Sequence, residues 1–518
     1  MTLALAGAGR QRRPQPAWLV AAALVPVALM CLPLVYVALR SWQAGPSGIV
    51  AELLRERTLM LLANTVTLAA GVTVGACLIG VAVAWCVERS DLPGRRWWRI
   101  AASLPLAMPA FVASYAWSSV HVAVQSLPGA IFVLTIVVYP LVFLPVSAAL
   151  RGMDPAFEDV ARSLGKGPWQ TFATVVLPQA WPALGAGALL VLTHMMAEFG
   201  ALSLLRVQTF TTAIFQSYEL QFDSASAALQ SAVLMALCLP AAWGEMRLRQ
   251  RLHVARAGRG SARRLPPRPL GRMKLPALAG FGLLLALSLG VPFAMLGYWL
   301  AVGTSRGAGL ADLGPAIAGS LGLALPGAVI VVALALPLAF AAVRHPGPLS
   351  RLADRLPYIV HGLPGLVVAL ALVFLSIRYA RPLYQTAFLL FVAYAMLFLP
   401  LAQSALRASI ELVPPRLEEL ARGLGRSPFG AFAAVTAPNI VPGAGAALAL
   451  MVLEIMRELT ATLMLAPIGV TTLATRVWSF GNDGQYAAAA PFAALLVLVS
   501  ALPVYVFTRR SGGIYDLQ

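Results

Sequence analysis

The chain has 518 residues, of which 59% are hydrophobic and 11% charged, and its mean hydropathy is +0.80. Soluble domains carry about 25% charged residues, so a soluble enzyme is excluded and most of the chain belongs in lipid. The formal charge of +18 does not indicate a nucleic-acid partner, because the basic residues cluster between apolar runs, as the positive-inside rule requires of a membrane protein.

At the N-terminus, Arg10, Arg12 and Arg13 precede an apolar run from Ala17 to Leu39. That run is too long for a signal-peptide core and reads as the first transmembrane helix. Further spans are predicted near 61–87, 99–121, 129–150, 180–203 and 226–246, then 275–301, 316–343, 355–377, 383–406, 440–465 and 487–508. The sequence thus predicts an all-α integral membrane protein of two six-helix halves, about 12 transmembrane helices. The first half covers 1–246 and the second 275–518. Between them, 247–274 holds ten Lys or Arg and no acid, and reads as an extended cytoplasmic linker. With both termini cytoplasmic, the basic stretches 88–99, 247–274 and 344–355 lie inside, as do two longer loops, 151–178 and 408–438. Cys31, Cys77, Cys86 and Cys238 lie within apolar runs and read as small buried residues.

The two inner loops match without a gap at a spacing of 260: Pro155 with Pro415, Glu158 with Glu418, Asp159 with Glu419, Ala161 with Ala421, Gly165 with Gly425 and Pro178 with Pro438. Each reads as two short helices. Asp154 caps the first, Gly165 supplies the left-handed residue that ends it, and Pro168, or Ser427 with Pro428, starts the next. Pro438 and Pro442 are read as marking the start of the following span. A capped helix pair built twice on the inner face suits docking of a soluble partner.

The segments FEDVARSLGKGPWQTFATVVLP and LEELARGLGRSPFGAFAAVTAP resemble the EAA loops of type I ABC importer permeases. The Glu, the second Ala, the Gly and the final Pro of that pattern are kept; the first Ala is replaced by Asp159 and Glu419, and Ala437 stands in place of Leu. The resemblance implies a coupling helix that docks on a separate ATPase, with Glu158, Asp159, Ala161, Gly165 and Pro178, and Glu418, Glu419, Ala421, Gly425 and Pro438, as coupling residues. It implies two copies of that ATPase, which would bind ATP and Mg while this chain binds no cofactor, a periplasmic substrate-binding protein, and a bacterial inner membrane. The chain itself has no GxxxxGK[ST], HExxH or GxSxG, and is read as a transport subunit without catalytic residues. The stretches from Glu198 and from Arg457 further resemble fused permeases of ferric-iron importers. The same importer class carrying thiamine, phosphonate, a polyamine or an oxyanion is the alternative, and a secondary transporter with two six-helix repeats is the alternative of another class.

Ionisable residues inside a span are costly and suggest function. Glu198 and Glu458, with His194 and Glu454 four residues before them, are expected near the outer mouth as a translocation path or gate; the competing reading is that they only close interhelical gaps through hydrogen bonds. No metal site is assigned. His361, Tyr139, Tyr394 and the Pro109/Pro364 pair are weaker path candidates, the prolines being read as kinks. The binding protein is expected on the outer loops near 204–225 and 466–486.

Overall fold

In a computed structural model of the chain, residues 17–513 are described apart from 155, 257–268, 305–310, 346, 348–349, 351–355 and 358–361. The described residues form helices and no strand. Lipid leaves no water to satisfy backbone polar groups, so a chain this apolar must close its hydrogen bonds within helices.

Nine described helices are long and apolar enough to cross a membrane: Leu24–Leu53, Glu56–Arg89, Leu127–Arg151, Trp169–Ala197, Ser224–Glu245, Gly271–Gly303, Leu313–Arg344, Ala387–Glu411 and Phe429–Arg457. A bent pair, Arg95–Ala107 with Ala110–Val120, and two shorter apolar helices, Gly365–Tyr379 and Tyr486–Ser500, occupy the places of the third, ninth and twelfth predicted spans. The third span is therefore not straight: its parts meet at 86°. Pro109, at φ −58° and ψ 135°, starts the second part, and Pro364 starts Gly365–Tyr379 with the same angles. Each proline, read from sequence as a kink, is an N-cap, a place where no helical N–H is lost. His361 and much of 355–363 lie outside the described residues.

One other expectation needs correction. The helix beginning at Ser224 continues to Arg256, so the first ten residues of the 247–274 linker are helical rather than extended. Its far end is fixed by Asp91, which accepts hydrogen bonds from the Leu270 amide at 2.8 Å and from Lys274 Nζ at 2.6 Å. The Lys274 bond, then the Leu270 amide, hold the Asp91 carboxyl below its ordinary pKa.

The first helix of each half packs across the other half. Tyr36 meets Phe374 with ring centroids 5.1 Å apart, and Phe281 meets Trp98 at 5.2 Å. This exchange, with the buried Tyr115 donating to the Tyr486 carbonyl at 2.6 Å, binds the halves into one body.

Candidate functional site: two anchored coupling helices and two broken spans

Each inner loop folds as read from sequence. In the first, Asp154 Oδ1 accepts from the Ala156 amide at 2.9 Å, the helix Ala156–Ser163 follows, and Gly165 turns the chain at φ 79°. In the second, the helix is Pro415–Gly423, Gly425 stands at φ 85°, and Ser427 Oγ caps the next turn by accepting from the Gly430 amide at 3.1 Å. Pro155 lies outside the described residues.

Glu158 and Glu418 do not face outward. Glu158 is buried and ion-paired with the buried Arg89 at 3.1 Å, with Arg162 at 3.6 Å. Glu418 is buried against Arg344 at 3.5 Å and accepts a short hydrogen bond from Thr436 Oγ1. Arg344 also donates to the Val413 carbonyl at 2.7 Å. Arg89 and Arg344 are the last residues of the second helix of each half, Glu56–Arg89 and Leu313–Arg344. A buried ion pair is costly to assemble but costs about 3–5 kcal/mol to break from one side; these pairs are rigid joints between the coupling helix and a membrane span. Ala161 and Ala421 lie one turn further on the same buried face, while Asp159 and Glu419 are exposed.

The face opposite the buried glutamates is apolar. Phe157, Val160, Leu164 and Trp169 are exposed, and so at the same spacing are Leu417, Leu420, Leu424 and Phe429; Leu164 is 73% exposed and Leu424 85%. Eight large apolar residues in two equivalent exposed patches mark an interaction surface. Of the residues named from sequence, Glu158, Ala161, Glu418 and Ala421 lie on the buried side and Asp159 and Glu419 are exposed; the apolar face and the arginine anchors were not named. The signal was there: Arg89 and Arg344 stand 255 residues apart, as do Pro109 and Pro364.

Pro178 and Pro438 do not begin the next spans. Both lie inside continuous helices starting at Trp169 and Phe429, just after the π-turns Phe172–Val176 and Phe432–Thr436. A π-turn shifts the hydrogen-bond ladder where proline has no N–H to give.

The helices Leu177–Ala197 and Ala437–Arg457 end at Glu198 and Glu458, both extended, at ψ 128° and 125°. The first of these ends lies well short of the end of its neighbouring helix. Gly185 faces Leu248 and Gly244 faces Leu189, an antiparallel register that sets Ala197 opposite Ala236. That is about a dozen residues, or ~18 Å, below Ser224, where the long helix of the sixth span begins. The chain then continues through the short helices Gly200–Leu204 and Phe210–Phe215, with Ala201, Leu202, Leu205, Phe210, Ala213 and Ile214 all buried. Most of 204–217 is therefore core rather than loop, while 219–223 is exposed, including Leu220 and Phe222, as is Ile468 in the other half.

Both glutamates cap the helix beyond the break. Glu198 Oε1 accepts from the Ala201 amide at 2.9 Å, and His194 Nε2 lies 4.0 Å from its other oxygen. Glu458 accepts from the Ala461 amide at 2.8 Å, the Thr462 amide at 2.9 Å and Thr462 Oγ1 at 2.7 Å, and Tyr394 shares a 2.9 Å hydrogen bond with that hydroxyl. Glu454 is half-buried on the helix before it. At the break the halves touch: a Cβ on Gly200 would lie 2.6 Å from Leu459 Cδ2, so any larger residue would push the Leu459 side chain aside. Among the described residues, no three His, Cys, Asp or Glu gather into a metal-binding group.

Tandem all-α halves, spans broken within the helix bundle and an exposed apolar helix pair on one face define a polytopic membrane permease. The chain belongs to the family of binding-protein-dependent transport system inner membrane components, which matches it twice, at 76–254 and 332–511. It is 44% identical over 501 residues to the Fe(3+)-transport system permease protein FbpB 2 of Haemophilus influenzae, covering 96% of this chain and 99% of that one. Similarity to the molybdenum transport system permease protein ModB of Escherichia coli is 30% over 139 residues, 24% of this chain and 60% of ModB. The sulfate transport system permease protein CysT of the same organism is 29% identical over 192 residues, 31% of this chain and 66% of CysT. The chain is thus a multi-pass transport subunit of the inner membrane, with two permease domains in one polypeptide.

Proposed function

We propose that this permease moves ferric iron into the cytoplasm, receiving it from a periplasmic binding protein and driven by two copies of a separate ATPase subunit that bind ATP and Mg. The observation that carries the coupling is the pair of exposed apolar helix faces held on buried Arg–Glu joints. The cargo follows from near full-length identity to an Fe(3+)-transport permease.

On this reading the coupling-loop face is cytoplasmic, in accord with the basic residues that flank it, and both termini lie there. Closure of the ATPase pair pushes the apolar faces. Arg89–Glu158 and Arg344–Glu418 pass that displacement to the second span of each half as rigid-body motion. The breaks at Glu198 and Glu458 are where long spans bend, and the Gly200–Leu459 contact is the closed gate between them. Glu198 and Glu458 act as caps that hold the bend, with His194 and Glu454 beside the path. The binding protein meets the exposed tips near Leu220, Phe222 and Ile468.

The test is ATP hydrolysis by the permease with its ATPase in liposomes, with and without ferric-loaded binding protein, for wild type and for Leu164→Asp with Leu424→Asp. Stimulation by loaded protein that disappears in the double variant supports coupling and cargo together. Stimulation by sulfate- or molybdate-loaded protein in place of ferric iron would keep the importer and replace the cargo. Unchanged stimulation in the double variant would overturn the coupling surface.

A further inference from the structure

Beyond the Gly200–Leu459 contact, on the side away from the coupling helices, lies a cavity of about 370 Å³. Arg206, Gln208, Gln216, Ser203 and Thr212 of the first half line it, together with Asn482 of the second. None of its lining residues is acidic. The rest of the lining is apolar, Phe199, Leu202, Val207 and Phe215; the one guanidinium, with the amides and hydroxyls that share the cavity, supplies N–H and O–H donors and one positive charge, the chemistry that binds carboxylate or phosphate oxygens. A bare multivalent cation would be repelled there.

Arg206 is held at a backbone position that disfavours it. Its φ is 54°, in the left-handed region. The turn that places it follows the helix Gly200–Leu204, with the Arg206 amide donating to the Ser203 carbonyl at 3.1 Å and the Val207 amide to the Leu202 carbonyl at 3.0 Å. Such helix-ending turns normally use glycine, because a Cβ in the left-handed region is strained. The second half shows the alternative. The capping boxes that follow the turn, Thr209 with Thr212 and Thr472 with Thr475, are 263 residues apart, and at that spacing the counterpart of Arg206 is Gly469, at φ 84°. The second half leaves its helix differently, through an extended Ala466 and a turn closed by the Val470 amide on the Pro467 carbonyl, but it too places glycine at its left-handed position. Only in the first half is that left-handed residue an arginine, and there it lines the cavity.

We propose that this cavity is an oxyanion subsite at the outer side of the gate, and that the cargo passes it as an anionic ferric complex whose carboxylate or phosphate oxygens face Arg206. This rests on the ferric-iron reading only for the identity of the metal.

Arg206→Gly is the informative variant, since it relieves backbone strain while removing the charge. Thermal unfolding of the full-length permease in nanodiscs would be followed with phosphate or citrate against chloride at equal ionic strength, alongside iron uptake from ferric-loaded binding protein by the complete transporter. The expected results are a wild-type Tm that rises with either oxyanion, an Arg206→Gly protein with an equal or higher basal Tm and no oxyanion response, and uptake reduced at least tenfold. Asn482→Ala, on the opposite wall, should weaken the oxyanion response without changing the turn. An oxyanion response that survives Arg206→Gly, or is absent from wild type, overturns the subsite, and so does normal uptake by Arg206→Gly. A wild-type transporter that takes up no iron yet shows the Arg206-dependent response upholds the subsite, assigns it to a free oxyanion, and refutes the ferric cargo alone.

Discussion

The coupling helices and the helix breaks are both built twice, yet only the first pair is built alike. At the inner face a buried glutamate meets an arginine from the second span in both halves, beneath four exposed apolar residues at matching positions. At the breaks the capping glutamates survive, but their surroundings diverge: His194 beside Glu198, against a hydrogen-bonded Tyr394–Thr462–Glu458 chain. Two identical ATPase subunits would impose one shape on both inner sockets. A single asymmetric cargo passing between the halves imposes no such equality, and there the repeat has drifted.

The largest effect in breaking this comparison is expected from Arg89→Glu. It sets two carboxylates together in a buried site, and removing one partner of such a pair costs about 3–5 kcal/mol. Binding-protein-stimulated ATP hydrolysis should be lost, and Arg89→Glu combined with Glu158→Arg should restore part of it; failure of the swap, with normal expression and folding, would show that the pair is not a joint.

Next in size is the inequality between the glutamates of the breaks. Glu458→Gln disturbs three direct hydrogen bonds and a buried hydroxyl chain, for about 1–3 kcal/mol, whereas Glu198→Gln disturbs one amide bond and a longer contact with His194. Thermal unfolding of the two variants should give the larger drop in Tm for Glu458→Gln, and equal drops would count against the asymmetry. A finer difference is expected between the sockets. Glu418→Gln removes the counter-charge of Arg344 but keeps an acceptor for Thr436, while Glu158→Gln removes the counter-charge of Arg89 and leaves Arg162 only Asp159 at 3.9 Å, so coupled ATP hydrolysis should fall further in Glu158→Gln.

The smallest effect concerns the clamp on the linker. The Asp91 pKa is lowered in the folded protein by Lys274 and the Leu270 amide. Its stabilisation is therefore complete above the unfolded value of about 3.9 and lost as pH falls through the lower folded value. Proteolytic nicking of the linker should be faster in Asp91→Asn than in wild type at neutral pH. Tm measurements taken progressively below pH 4 should bring the two proteins together, and a gap that persists in strong acid would show that Asp91 acts through something other than its charge.

How much was legible depended on the scale of the pattern. The caps Asp154 and Ser427 and the left-handed Gly165 and Gly425 stood where local rules place them, because a turn is decided by a few adjacent residues. Pro109, read as a kink, does stand at the 86° break of its span; that it also caps the helix beyond the break, as Pro364 caps Gly365–Tyr379, was not legible, since proline serves both purposes. The helix break at Glu198 was not legible because an apolar run carries no mark of where a helix stops, and buried short helices are as apolar as the span before them.

By itself the sequence determined that the chain is a membrane protein of two repeated halves with paired inner docking loops, because hydropathy and internal spacing are properties of residues in line. Only the tertiary structure decided that Glu158 and Glu418 face inward to Arg89 and Arg344, that the loops after Glu198 and Glu458 fold back into the core, and that a strained Arg206 faces Asn482 across a cavity. Those facts depend on which residues, far apart in the chain, a helix bundle brings within a few ångströms, and burial of a charge is settled by the partner it meets there.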